Sequence, residues 1–489
     1  MEKRTDTKIP YGVADFKRIR NEGYYYVDKT EYLAKLEERD SFVFFVRPRR
    51  MGKSLFLDML RLYYDRNERE NFERLFGGLW IGSHPTPNRN RYLTLALDFS
   101  QAGPTGGRSL QECFEAYLTA CFQCFVAAYP EVYDADFRRA SENKPALDLF
   151  VLMTKRAKAK GFPIYLIIDE YDNFTNALIR SSGNESYRSI THGTGFYREW
   201  FKKFKGSVDR IFMTGVSPVT MDDLTSGFNI AANISQDEDF NSMLGFSFAE
   251  TLQMYRDFKG VGKYQSGDPE AIVRSIKPWY DGYCFAEEKI GEESVFNSDM
   301  VLYHLKSMVA KGRPPKDMVD ANIATDYDKL ETIVDLQRQA GAQGVLPSVA
   351  SIIENRGLCG SVYDSFDIDK FGEAKFLLSN LFYYGVITLD RKERGEYYYR
   401  IPNAMSALAF IRLLNGHRGK LHSYIVELKY SKPDASDADL AVKAEDGIRK
   451  LRQYAADPFV PELAKDTTLH LILYQFKGTE LVRCEEIAQ

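Results

Sequence analysis

Gly52-Lys53-Ser54 stands directly before the apolar run Leu55-Phe56-Leu57-Asp58-Met59-Leu60. The triplet is the second half of the phosphate-binding rule G-x-x-x-x-G-K-[ST]. In that rule backbone N–H groups and a helix N-terminus cradle the phosphates, the lysine reaches the β- and γ-phosphates, and the hydroxyl ligates Mg2+. Arg47 occupies the position of the first glycine, so the rule is met in part. Context strengthens it, because the apolar run Phe42–Val46 precedes the loop and reads as a strand, with a buried helix after it. Arg49, Arg50, Met51, Gly52, Lys53, Ser54 and Leu55 are therefore the candidate nucleotide contacts. Loop arginines are also commonly solvated or paired with carboxylates, so Arg49 and Arg50 have a second reading. The complementary chemistry stands at Ile164-Tyr165-Leu166-Ile167-Ile168-Asp169-Glu170. An apolar strand ending in two acids sets Asp169 beside a Mg2+ held with Ser54, and Glu170 where it can orient or deprotonate the attacking water. Thr214 ends another apolar run, Arg210–Met213, and is a candidate for sensing the γ-phosphate or attacking water; turn capping is its alternative.

These residues need a scaffold that brings several strand ends together. The apolar runs at Phe42–Val46, Tyr92–Phe99, Pro163–Ile168 and Arg210–Met213 are short, and helical spacing fills 110–129 and 145–160. Short apolar strands separated by long helices predict an α/β fold with a parallel sheet covered on both faces. Polar, glycine-rich stretches at 103–107 and 181–195 read as exposed loops. Beyond about 245 the alternation gives way to helical patterns. Near 370–403 a helix-like Phe371–Phe382 is followed by two strand-like runs around a polar turn at Asp390–Glu396, an order that suggests a winged-helix module. A closing α/β segment carries strand candidates Tyr424–Leu428 and Leu469–Phe476 around a helix near 440–455.

Composition narrows the function classes. A chain of 489 residues predicts about three domains. With 65 Lys plus Arg against 69 Asp plus Glu the formal charge is −4, which does not indicate a broadly basic nucleic-acid binder. No apolar run is long enough to span a bilayer and the first residues lack a signal-peptide pattern, so a cytoplasmic protein is expected. The lone Cys121-Phe122-Gln123-Cys124 has no second pair to complete a zinc site, and buried helical cysteines are the expectation.

Six stretches together resemble a prokaryotic family of predicted AAA-type ATPases fused to a PD-(D/E)XK-type nuclease domain. They are Ile9–Phe16, Tyr26-Val27-Asp28-Lys29-Thr30, Arg47–Ser54, Ile168-Asp169-Glu170-Tyr171-Asp172, Thr214-Gly215-Val216-Ser217 and Tyr280-Asp281-Gly282-Tyr283. The likeness is strong over about residues 8–300 and weak beyond. It implies that Arg47 is a family trait and that the core is a P-loop sheet of the additional-strand type, with a strand between those of Lys53 and Asp169. It also implies a helical and winged-helix lid, and places Tyr26–Thr30 near the nucleotide base or the sheet edge, where the residues alone read Tyr24–Val27 as a strand. The domain boundaries expected are 1–245, 246–365, 366–404 and 405–489.

In the resembling nuclease domains an E-x-K strand presents a metal-binding glutamate and a lysine that steadies the attacking hydroxide; Glu427 and Lys429 have that form here. Such sites also need an acid from a preceding strand, because hard divalent ions require converging carboxylates. No Asp or Glu lies between Glu396 and Glu427, so the nuclease part reads as truncated and inactive. The leading expectation is an ATP-binding, ATP-hydrolysing switch with Mg2+. A nucleotide-gated DNA nuclease that draws a further acid from elsewhere, such as Asp390, is the first alternative. A non-hydrolysing scaffold is the second. A protein partner or homo-oligomer fits either reading; Arg180, Arg188 and Arg198 are unplaced candidates for an arginine finger, and nothing points to a membrane.

Overall fold

The computed structural model describes residues 7–103, 107–172, 196–217, 232–320, 357–363, 374–409, 422–456, 460, 468–478 and 480–487. The chain divides into two compact units, with the boundary after Leu244. The first unit is built on a five-stranded sheet of β1 (Phe42–Val46), β2 (Leu93–Asp98), β3 (Ile164–Asp169), β4 (Arg210–Gly215) and β5 (Ala232–Asn233). Its order is β2-β3-β4-β1-β5 and every pairing is parallel. β4 thus lies between the strand that leads to Lys53 and the strand that ends in Asp169. Ile164 through Ile168 are all buried, so consecutive side chains find cover on both faces of the sheet, as a parallel sheet demands.

Helices follow the strands. α1 (Lys53–Tyr64) packs on β2 and β3, and Phe56 sets its ring 6.2 Å from Phe212 of β4. α2 (Leu110–Ala128) begins with a reciprocal cap in which the Glu112 N–H donates to Ser109 Oγ and the Ser109 N–H to Glu112 Oε2. It meets α3 (Ala146–Ala159) through Phe122 and Phe150, 5.2 Å apart. α4 (Phe196–Ser207) buries Tyr197, Trp200, Phe201 and Phe204, the i, i+3, i+4, i+7 stripe of a core-facing helix. On α2 the buried positions are Cys113, Phe114, Leu118, Phe122, Phe125 and Val126. Cys121 and Cys124 flank that stripe, and Cys124 is exposed, which corrects the expectation that both would be buried. Tyr24–Val27 forms no strand; Tyr24 makes a single bridge to Lys8.

The second unit opens with α5 (Phe248–Phe258), α6 (Pro269–Tyr280) and α7 (Ser298–Lys311). Tyr255 of α5 and His304 of α7 meet at 2.6 Å in the buried interior. A small sheet follows, β6 (Leu358–Cys359), β7 (Thr388–Glu393) and β8 (Glu396–Arg400), in the order β6-β8-β7, with α8 (Ala374–Tyr383) between β6 and β7 along the chain. Arg394 and Gly395 close the β7–β8 hairpin with φ of 54° and 87°, the pair of left-handed residues that a two-residue turn requires. The Tyr280–Tyr283 motif ties the helices to this hairpin region. Asn403 Nδ2 donates to the Asp281 carbonyl and the Cys284 N–H to Thr388 Oγ1, and a Cβ on Gly282 would stand 2.4 Å from the Pro402 carbonyl.

The last segment is β9 (His422–Ser431), α9 (Asp437–Ala455), β10 (Thr468–Lys477) and β11 (Glu480–Ile487). β9 and β10 are parallel, joined by the α9 crossover, and β11 returns antiparallel along β10; sequence reading missed this third strand. Ala444, Leu451, Leu471, Leu473 and Ile487 form the core under α9. Among the described residues no helix is long and apolar enough to cross a membrane. The expected loop 181–195 lies outside the described residues, as does part of 103–107.

Candidate nucleotide site

The loop after β1 is shaped from below by Arg47. Its guanidinium is buried, lies 4.2 Å above the Phe45 ring, and donates to the carbonyls of Val46, Ser235 and Phe240 at 3.0, 2.6 and 3.0 Å. Ser235 Oγ in turn accepts the Val46 N–H. The end of β1 is thereby fixed to the segment after β5, with no need for the glycine that the phosphate rule expects. Left-handed backbone appears later in the loop, at Arg50 (φ 63°) and at Gly52 (φ 97°), which is the N-cap of α1. Such alternation turns successive N–H groups to one side and makes a concave nest for an anion. Met51 between them is buried.

Lys53 and Ser54 open α1, and the Phe56 N–H donates to the Gly52 carbonyl to close its first turn. The buried Lys53 ammonium donates to the loop carbonyls of Arg47 and Pro48 at 2.9 and 2.8 Å. Burial lowers its pKa from 10.5 to about 8, against the opposing pull of Asp169, Glu170 and Asp172. Ser54 is exposed, and its Oγ donates to Asp169 Oδ2 at 2.7 Å. Burial pushes the Asp169 carboxyl above its usual range, partly offset by the Ser54 hydrogen bond and by Lys53. A hydroxyl and a carboxylate at this separation suit Mg2+, which in phosphate sites keeps several waters and takes few protein ligands.

Glu170 follows with φ 48°, a left-handed conformation uncommon for a side chain of its size, and its N–H donates to Asp169 Oδ1 at 2.9 Å. Asp98 ends β2 in register with Asp169, so these acids share the C-terminal edge of the sheet, where ligands of open α/β folds bind. Thr214 is placed differently from the expectation that it would end its strand. β4 continues through Gly215, so Thr214 lies within it, buried, and its hydroxyl donates to the Phe45 carbonyl of β1 at 2.7 Å. Its neighbours reveal a residue that the sequence argument quoted without a role: Asp172 accepts the backbone N–H groups of Val216 and Ser217. The signal was the third acid of Asp169-Glu170-Tyr171-Asp172, three residues after the first.

The other motif residues are placed as follows. Asp28 accepts the N–H of Thr30 at the start of the helix Glu31–Glu37 and that of Trp80 at the start of Trp80–Ser83, and Lys29 Nζ donates to the Ser242 carbonyl. Tyr26–Thr30 is therefore a clasp between short helices of the first unit. Arg198 lies on α4, whereas Arg180 and Arg188 fall outside the described residues.

The tail carries a second cluster. Lys429 Nζ bridges Glu427 Oε1 at 2.8 Å and Asp446 Oδ2 at 2.5 Å, and Lys450 stands 3.8 and 3.7 Å from the same two carboxylates. Arg449 also bonds Asp446, and these partners hold the Asp446 carboxyl below the usual range. Asp390 is not available here: it pairs with Arg391 at 2.7 Å and Arg400 at 3.1 Å in the hairpin sheet. Among the described residues no group of three or more histidine, cysteine or acidic side chains is placed to hold a metal ion. Among the described residues the donor set at Glu427 does not fit a nuclease metal, because Glu427 already faces two cations and Asp446 three.

Over 285 residues the chain is 27% identical to an uncharacterized protein in the vnfD 5′ region of Azotobacter chroococcum mcd 1, a stretch that is 58% of this chain and 50% of that protein. The chain thus spans about half the length of the curated relative that it matches. Among solved structures it is similar to the Aeropyrum pernix ORC2 protein in ADPNP–ADP complexes, at 14% identity and a TM-score of 0.37 over 82% of this chain and 98% of that one. It is also similar to the Aeropyrum pernix ORC1 protein in complex with DNA, at 11% identity and a TM-score of 0.26 over 82% and 96%. Residues 10–225, which hold the loop at 47–54 and the acids at 169–172, match the family model of the AAA-ATPase-like proteins, described as predicted AAA-ATPases.

Proposed function

We propose that this chain binds ATP with Mg2+ at the loop of residues 47–54 and hydrolyses it. The observation that carries the reading is the 2.7 Å contact between Ser54 at the start of α1 and Asp169 at the end of β3, beside the buried Lys53. Two strands and a helix converge there in the order that phosphoanhydride chemistry needs. Lys53 would leave the loop carbonyls for the β- and γ-phosphates, and the N–H groups from Arg49 to Leu55 would take the remaining oxygens. Ser54 and Asp169 would hold Mg2+, which supplies charge neutralisation on the phosphates when bound. Glu170 would orient the attacking water and accept its proton. Thr214 would contribute by holding β4 against β1, since its hydroxyl already bonds Phe45. The family match over residues 10–225 supports the same assignment.

In this reading hydrolysis operates a switch, and the tail is a nuclease-like remnant without catalysis. Lys53→Ala is expected to weaken binding of a fluorescent ATP analogue, and Glu170→Gln to leave binding nearly intact while slowing hydrolysis by about 10²-fold or more. Unchanged affinity in the first variant would sink the phosphate-site assignment. Turnover indifferent to Glu170→Gln would favour a nucleotide-stabilised scaffold instead.

A further inference from the structure

We propose that Asp172 is a positioning residue for ATP hydrolysis, which holds Glu170 in its working conformation by clasping the chain that leaves β4; this rests on the ATPase reading above. Asp172 is buried to 2% exposure. Its Oδ2 accepts the Ser217 N–H at 3.0 Å, and the Val216 N–H lies 3.3 Å from both carboxylate oxygens. Tyr171 strengthens the same junction: its N–H donates to the Thr214 carbonyl at 3.2 Å and its hydroxyl to the Ser217 carbonyl at 2.6 Å. From α4, the Tyr197 hydroxyl donates to the Tyr171 carbonyl at 2.6 Å.

Gly215 shows how close the approach is. A Cβ there would stand 2.4 Å from Asp172 Oδ1 and 2.8 Å from the Tyr171 ring. The chain leaving β3 is therefore joined through Tyr171 and Asp172 to Thr214, Val216 and Ser217 at the end of β4, by backbone and side-chain bonds. Glu170 lies between this clasp and Asp169, with its backbone at φ 48°. A non-glycine residue keeps that conformation only where its surroundings over-determine it. Asp169 fixes one side through the Glu170 N–H, and Tyr171 with Asp172 fixes the other. The Asp172 charge also acts on the Lys53 ammonium. Removing the clasp frees Glu170 to leave the attacking water while the phosphate loop, anchored separately by Arg47, stays formed.

The test is Asp172→Asn, which keeps the size but removes the charge and leaves one acceptor oxygen where the carboxylate offers two. The expected result is a fall in kcat of about tenfold or more, with KM and fluorescent-analogue affinity within about twofold of the parent. A parent without ATP hydrolysis would overturn both this inference and the reading it rests on. A hydrolysing parent whose Asp172→Asn variant keeps its kcat, or loses affinity in proportion, overturns only this inference. If circular dichroism shows Asp172→Asn to be unfolded, Gly215→Ala, which crowds the same carboxylate from β4, is read by the same kcat-against-KM split. Unfolding of both would assign the carboxylate to the fold and overturn the proposal.

Discussion

Arg47 shows how a side chain can stand where a phosphate loop expects glycine. A glycine is needed there only if the backbone must be left-handed or approached closely, and in this loop the left-handed positions are Arg50 and Gly52. Arg47 instead stacks on Phe45 and ties the strand end to Ser235 and Phe240. Its carbonyl then receives Lys53. That lysine carries a prediction. Burial sets its pKa near 8, so in the free protein the ammonium is present below pH 8 and lost as pH rises through that value. Phosphate oxygens favour the charged form, so ATP affinity is expected to be flat below pH 8 and to fall above it by up to about tenfold per pH unit. Titration of the fluorescent analogue from pH 6.5 to 9.5 checks this, with Lys53→Arg, which stays charged throughout, as the flat control. A parent curve as flat as the control would refute the role given to Lys53. The types and spacing of Lys53, Ser54, Asp169 and Glu170 were legible in the sequence because each belongs to a strand end or a helix start. The direction of Thr214 was not, because its strand runs one residue past it and turns the hydroxyl toward β1.

At the scale of elements, the second unit depends on contacts that no local pattern announces. α5 and α7 are joined by the Tyr255–His304 bond, 2.6 Å long and buried. Burial lowers the His304 pKa from 6.5 to about 4, so the ring is neutral in the folded protein. The folded pKa lies below the unfolded value, so unfolded chains bind the extra proton first as pH falls. The stability that a neutral His304 contributes is complete above pH 6.5 and is lost as pH falls toward 4, by up to about 3 kcal/mol. Thermal melts of the parent and of His304→Gln between pH 7 and pH 4 test this: the parent should lose more stability over that range than the variant. Equal acid sensitivity in the two proteins would refute it. The helices were legible from apolar spacing, and their caps from Ser109–Glu112 and Ser247–Glu250. β11 was not legible, because half of its sequence Glu-Leu-Val-Arg-Cys-Glu-Glu-Ile is charged and only β10 beside it makes it a strand. Asp446 was equally hidden: its partner Lys429 lies on β9, and only the fold of α9 onto that strand brings them together.

For the molecule as a whole, the tail bears on the nuclease alternative to the proposed ATPase. Glu427 and Asp446 are held by Lys429 and Lys450, and Arg449 also binds Asp446. Freeing them for a divalent ion means breaking that network as well as recruiting a third ligand. We therefore expect the purified chain not to cleave linear or plasmid DNA with Mg2+ or Mn2+, with or without ATP. Cleavage by the parent that disappears in Lys429→Ala would reverse this conclusion. Legible in the sequence were the strand-and-helix alternation of the first unit, the Gly52-Lys53-Ser54 triplet after an apolar run, the acids that end the Asp169 strand and the stretch without Asp or Glu before Glu427. All of these follow from local periodicity and from residue types at fixed spacing. The strand between those of Lys53 and Asp169, implied by the family resemblance, is β4; only folding brings Arg47 under the loop, Asp172 onto the turn after Gly215 and Asp446 onto Lys429. Each of these joins residues distant in sequence, and such contacts are set by strand order and by the burial that parallel pairing imposes, quantities that no window of the chain contains.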